Sequence, residues 1–179
     1  MTDWSQIVHE HGPMVWKTVR RLVDNEADGA DCFQRAFVSA LELSRKEAIR
    51  NWSGLLQRLA TARALECLRQ RARQANRFTT LPAGSVVDRK AVGPVEAAQT
   101  SELAEQLREA LADLDDRQAQ VFCLSCLDGL SYEQISFQLG ITVNHVGVLL
   151  NRARSTLRGR LQGHAPTPAT KSMEREVQS

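Results

Sequence analysis

The chain has 179 residues, 42% hydrophobic, 25% charged and only 5% aromatic, which allows one medium domain or two small ones. No apolar run approaches the roughly 18 residues a membrane span needs, the Met1-Thr2-Asp3-Trp4 start has neither the basic nor the apolar block of a signal peptide, and four cysteines are too few for a disulfide scaffold. Membrane insertion, collagen-like repeats and disulfide stapling are thereby excluded, and a cytoplasmic, helical protein is expected.

The net charge of +2 conceals a repeated pattern: residues 1–44 carry −3, 45–90 carry +8, 91–130 carry −6 and 131–164 carry +3. An acidic block followed by a basic one occurs twice. Two such surfaces suit two contacts with a polyanion and separate contacts with a protein.

In chain order, Gly12-Pro13 reads as a loop feeding a helix that carries Val15, Val19 and Leu22. Asp24-Asn25 and Asp28-Gly29 interrupt it. Phe33, Ala36, Phe37, Ala40 and Leu41 then recur at one-face helical spacing. After a charged, irregular stretch from Ser44 to Asn51, Ser53 is the expected cap of a helix that buries Leu55, Leu56, Leu59 and Leu68 and runs to about Arg73. Residues 76–100 lose helical period and gain Pro and Gly, as a flexible linker does. Beyond it, Leu103, Leu107, Leu111 and Leu114 open a second helical unit. Asp115-Asp116 starts a further helix, which Gly129 ends. Ser131 caps a short helix with Ile135 and Leu139, Gly140-Ile141-Thr142 makes a turn, and Thr142 caps a last amphipathic helix. The expected fold class is all-α. The expected domains are residues 1–75 and 101–163, with a linker at 76–100 and a disordered tail at 164–179.

Three constellations carry function. A capped short helix, a glycine turn and a second capped helix make a helix-turn-helix, whose second helix enters a DNA major groove. Val143, Asn144 and His145 fall on its first turn, where base edges are read, and Asn can form a bidentate pair with adenine. Ser131, Tyr132, Asn151, Arg152 and Arg154 are candidate DNA contacts around them, the arginines toward phosphates. The second constellation is the basic helix with Arg58, Arg63, Arg69 and Arg73, preceded by Arg50-Asn51-Trp52. Cations beside an aromatic ring suit unstacked bases, although Trp52 taken alone reads as a core residue. The third is the polar face with Asp28, Asp31 and Gln34, which is unsuited to DNA and is either bland surface or a protein-docking face. Cys123 and Cys126 have zinc-like spacing, but no second pair stands beside them, so they are read as structural. No metal, cofactor or enzyme activity is expected.

Over residues 4–75 and 100–162 the chain resembles bacterial sigma factors of the extracytoplasmic-function (ECF) group. The segment Asp28 to Leu41 is similar to that family's polymerase-binding helix. Leu55 to Arg69 is similar to its promoter-melting helix. Leu111 to Phe122, with Gly129 to Ile135 and Arg152-Ala-Arg154, is similar to its helix-turn-helix domain. The resemblance implies a region-two-like bundle and a four-helix region-four-like domain. The first would clamp core RNA polymerase through Asp28, Asp31, Gln34 and Phe37 and open the −10 promoter element with the basic helix and the loop before Trp52. The second would read the −35 element. An anti-sigma protein is an implied partner. The alternative is a stand-alone helix-turn-helix regulator. The sequence departs from the family pattern at Ala62, where Asn is usual, at Glu66, where Asp is usual, and at Gly147 and Leu149, two positions often basic.

Because a basic side chain at 147 adds a phosphate contact, Gly147→Lys is expected to tighten −35 DNA binding and steepen its salt dependence. Titration at several salt concentrations checks it.

Overall fold

The computed structural model describes residues 3–79 and 95–162. The tail expected at 164–179 and most of the linker expected at 76–100 lie outside the described residues. Among those described, every regular element is helical: α1 (Trp4–Leu22), α2 (Glu26–Ser44), α3 (Trp52–Thr79), α4 (Val95–Ala112), α5 (Asp116–Phe122), a π-helical turn (Cys123–Leu127), α6 (Tyr132–Leu139) and α7 (Val143–Gln162).

Short polar side chains start these helices by accepting from backbone N–H groups that the first turn leaves free. Asp3 accepts from Gln6 N at 3.1 Å and Asn25 from Asp28 N at 3.1 Å. Asp115 accepts from Arg117 N at 3.0 Å. Asn51, rather than the expected Ser53, caps α3, its Oδ1 accepting from Gly54 N at 2.9 Å. The Gly12-Pro13 loop does not form: α1 runs through both residues. Asp3 has already started the helix, and Gly12 is buried where α1 crosses α2, its Cβ position 3.8 Å from Phe33 Cζ. Tertiary packing outweighs the one hydrogen bond that Pro13 forfeits. Likewise α3 reaches Thr79 and α4 begins at Val95, both inside the stretch that lacks helical period.

Helices α1, α2 and α3 form one bundle. Val15, Val19 and Leu22 of α1 meet Ala36 and Ala40 of α2 and Leu56, Ala60, Ala64 and Leu65 of α3, all fully buried. The alanines on facing helices have no bulk beyond Cβ, so the backbones can approach closely and the larger leucines fill the centre. The same core continues into the C-terminal half through Leu111, Leu114, Ala119 and Cys123, and through Ala153 and Leu157 of α7. A second, smaller core of Val121, Leu124, Ile135, Leu139, Val146, Leu149 and Leu150 holds α5, α6 and α7 together.

The turn between α6 and α7 rests on Gly140, which ends α6 in the left-handed region at φ +63°. Open space surrounds the position where a Cβ would go, so a substitution there meets backbone strain without a clash. Gly140→Ala should therefore destabilise the folded chain by about 1–2 kcal/mol. Urea unfolding with an unchanged slope checks it.

Candidate nucleic-acid interface

The helix-turn-helix unit is built as the sequence suggested. Ser131 and Gln134 form a reciprocal capping box, the Ser131 Oγ accepting from Gln134 N at 3.2 Å and Gln134 Oε1 from Ser131 N at 2.8 Å. Thr142 Oγ1 accepts from His145 N at 3.2 Å and starts α7. Ser136 donates to Ile141 O at 2.6 Å and Arg117 to Leu139 O at 3.3 Å, which fixes the turn. Val146, Leu149 and Leu150 turn inward. Val143, Asn144, His145, Asn151, Arg152 and Arg154 are thereby left exposed along α7. The Ser131 hydroxyl is committed to its cap. Leu149, at 6% exposure, belongs to the small core, which gives the physical reason for an apolar residue there.

Tyr132 lies across this surface. A Cβ on Gly147 would meet its Cε2 at 3.5 Å, an ordinary van der Waals contact. Arg154 Nη2 donates to Cys126 Sγ at 3.5 Å, and this contact raises the guanidinium's pKa further above its ordinary value. Cys126 is exposed while Cys123 is buried, and burial pushes the Cys123 thiol well up. The wide π turn, closed by Asp128 N to Cys123 O at 3.0 Å, separates the two thiols into surface and core.

The arginines of α3 divide into two groups. Arg63 donates to Glu66 Oε2 at 2.9 Å and to Ser39 Oγ at 2.8 Å, and Arg35 donates to the same carboxylate at 3.2 Å. The Arg63 hydrogen bond, helped by the charge of Arg35 and opposed by burial, holds Glu66 below the ordinary carboxylate range. Arg69 donates to Leu114 O at 3.3 Å and pairs with Asp116. Arg71 pairs with Asp28. Arg73 is exposed, its Nε donating to Arg69 O at 3.3 Å. Arg50 is exposed and Arg58 half-buried. Trp52 packs edge-on against Trp4, ring centroids 5.2 Å apart, so its ring closes the start of α3, as the core reading had it. Asn51 spends its carbonyl oxygen on the cap.

On α2, Asp31 and Gln34 are exposed, Asp31 standing 3.8 Å from Arg35. Phe37 is a correction: it is 9% exposed and packs on Phe33 at 4.9 Å between centroids, inside the core. The apolar residue that does reach this face is Val38, 53% exposed. It and Phe137, 78% exposed on α6, are the residues sequence reading missed. Each is out of phase with its helix's buried positions, and that was the available signal. Phe137 stands at a cleft of about 330 Å³ between α6 and the start of α3, whose walls include Asn51, Gln57, Gln134 and Gln138.

Comparison with known proteins fits this geometry. The Sigma-70, region 4 family profile matches residues 104–157, which contain the whole of α5 and α6 and most of α7. The chain is 28% identical over 170 residues to the ECF RNA polymerase sigma factor SigE of Mycolicibacterium smegmatis, covering 94% of this chain. Over these spans the chain is similar to ECF sigma factors. It is also 24% identical to SigW of Bacillus subtilis over 89% of both chains. It spans 65% of the length of SigE. In fold, the chain is similar to RpoE of Bartonella quintana, solved with the anti-sigma factor NepR (TM-score 0.53, 20% identity, 90% of this chain and 98% of that one). It is also similar to CnrH, solved with the cytosolic domain of CnrY (TM-score 0.56, 23% identity, 90% and 88%).

Arg63 is tied to Glu66 and Ser39, whereas Arg58 has no such tie among the described residues. Arg63→Ala should cost up to about 1 kcal/mol of stability, since these groups are part-exposed, and leave the salt slope of nucleic-acid binding unchanged. Arg58→Ala should lower that slope by about 1 without affecting stability. Thermal melts and salt titrations of the two variants check the contrast.

Proposed function

We propose that this chain is the promoter-specificity subunit of a bacterial RNA polymerase. It docks on the core enzyme through the outer face of α2, engages the −10 element with the start and outer face of α3, and reads the −35 element with α7. The observation that carries this reading is the exposed first turn of α7. Val143, Asn144 and His145 project from a helix anchored at both ends of its turn, and Arg152 and Arg154 follow on the same exposed side. Rigid anchoring with free polar tips is what direct reading of base edges requires.

For the polymerase contact, α2 offers Asp31, Gln34 and Val38, an acidic and amide face around one exposed apolar side chain. Such a face repels DNA and suits a protein partner with a cationic rim. Asp28 contributes from the edge of this face while paired with Arg71. Phe37 supports the face from beneath. On α3, Arg50 and Arg58 are the cations least committed to the fold, with Arg73 further along the helix. Arg63 and Arg69 act mainly within the protein. The domain division follows the two cores, residues 1–75 carrying the first bundle and 101–163 the helix-turn-helix. An anti-sigma protein is proposed as a further partner, by likeness to the two complexes above. The protein contributes binding and positioning to initiation, with no chemistry of its own.

The test is co-elution of the purified chain with core RNA polymerase. The wild-type chain should co-elute. Val38→Glu, a change at an exposed position that leaves helicity intact, should weaken the complex at least tenfold, about 1.4 kcal/mol. A chain that fails to co-elute yet binds duplex DNA tightly as a dimer is a stand-alone regulator.

A further inference from the structure

Helices α2 and α3 run antiparallel, and the side chains that meet across them fix their register. Asp28 pairs with Arg71. Arg35 reaches Glu66 at 3.2 Å, and Arg63 reaches Ser39 at 2.8 Å. Cys32 and Cys67 fall on the rung between the first two of these contacts. The Cys32 thiol donates to Arg63 O at 3.6 Å. A helical side chain leans over the turn N-terminal to its own Cα, so Cys67, four residues on, covers the turn that presents Arg63 O. The two thiols accordingly stand in hydrogen-bonding contact with each other. Ala36 and Ala64, both fully buried, lie one turn further along each helix. They put no bulk beyond Cβ between the helices, which holds the two backbones close at this level.

The two sulfurs differ in access. Cys32 is 1% exposed, whereas Cys67 is half-buried and open to small solutes. Among the described residues no group of three or more His, Cys, Asp or Glu is placed to hold a metal ion, so the pair is not part of a larger ligand set there. A reachable thiol touching a buried one is the arrangement in which a first oxidation is resolved inside the chain. Burial raises both thiols, Cys32 to about 12. Few thiolates are then present at neutral pH, and the pair responds to sustained oxidant rather than to a brief pulse.

We propose that Cys32 and Cys67 are a modification site for small peroxides, which convert the pair into a disulfide that staples α2 to α3. The Cys67 thiolate attacks one oxygen of hydrogen peroxide. The O–O bond breaks, hydroxide leaves and takes up the proton released by the thiol as water, and Cys67 becomes a sulfenic acid. The Cys32 sulfur then attacks the Cys67 sulfur. The S–S bond forms, the S–O bond breaks, and the hydroxyl leaves with the Cys32 proton as a second water. Two thiols are oxidised and one peroxide is reduced to two waters. The bond closes a loop holding the second half of α2 and the first half of α3, which restricts the unfolded chain and favours the folded one. A thiol reductant reverses it by exchange. The proposal is independent of what α2 and α3 bind.

The test exposes the reduced full chain to hydrogen peroxide, alkylates the remaining thiols, and maps tryptic peptides by mass spectrometry. A second aliquot is melted. The expected product joins peptide 22–35 to peptide 64–69 with the loss of two hydrogens. The melting temperature should rise on the order of 10 °C and return to its starting value with dithiothreitol. Cys67→Ser should abolish both the cross-linked peptide and the rise. Cys126→Ser, at the exposed thiol of the π turn, should keep both. If Cys67→Ser loses helicity, the reversal of the wild-type shift by dithiothreitol still decides the matter. Cys67 carried on to sulfinic acid while Cys32 remains alkylated overturns the pairing. A cross-linked peptide with no change in melting temperature overturns the staple. Neither reading involves polymerase or nucleic acid, so failure here is distinct from failure to co-elute.

Discussion

The structure depends on α3. Its 28 residues supply Leu56, Ala60, Ala64, Leu65 and Leu68 to the larger core and pack against α1, α2, α4 and α5. Ala60 and Ala64 let it lie close to the other helices of the first bundle, Leu56 and Leu65 fill the interior, and Arg69 turns toward the α4–α5 corner. Small side chains at the contacts and large ones at the centre make the bundle well packed, and that rigid bundle is what α4, α5 and the π turn lie against. A helix so heavily engaged has little surface left for a ligand. That surface is the approach to the helix at Arg50–Asn51, the half-buried Arg58 and the exposed turn that begins at Arg73.

Charge explains why. The basic block at 45–90 does not face outward as a whole. It neutralises the acidic blocks on either side of it through Arg71 with Asp28 and Arg69 with Asp116, while Arg63 is held by Glu66 within the block and by the Ser39 hydroxyl. Outside the block, Arg160 pairs with Asp113 and, across 107 residues, Arg21 pairs with Asp128. Exposed pairs of this kind add little stability singly. Their effect is on which cations remain available. The helix-turn-helix half keeps more of its own, since Arg152 and Arg154 project from α7 with no carboxylate bonded to them among the described residues.

What was legible in the sequence was local. Asp115, Ser131, Gly140 and Thr142 mark helix ends because caps and left-handed glycines act within four residues. The helix-turn-helix was legible for the same reason, together with the spacing of Ile135, Leu139, Val146 and Leu150. What was not legible depended on distant residues. Pro13 sits inside a helix because Gly12 meets Phe33 across the bundle. Asn51 wins the cap from Ser53, a choice between two good cap residues two positions apart. The π turn at Cys123–Leu127 has no composition signal. The pairing of Arg21 with Asp128 joins residues 107 apart, and no periodicity can announce it. At the candidate site, residue types were readable while commitments were not. Trp52 taken alone reads as core in sequence and packs so, whereas Phe37, offered to a partner by the family resemblance, turns its ring to the interior.

In the proposed role two surfaces work together, α2 on a polymerase and α7 on DNA. Transcription from a sheared genomic DNA pool, with core RNA polymerase and this chain, tests both at once by mapping the 5′ ends of the RNA made. The account predicts discrete new start sites that depend on the chain and share two upstream elements at a fixed spacing. Start sites identical to those of core polymerase alone, with the chain present and folded, would contradict it.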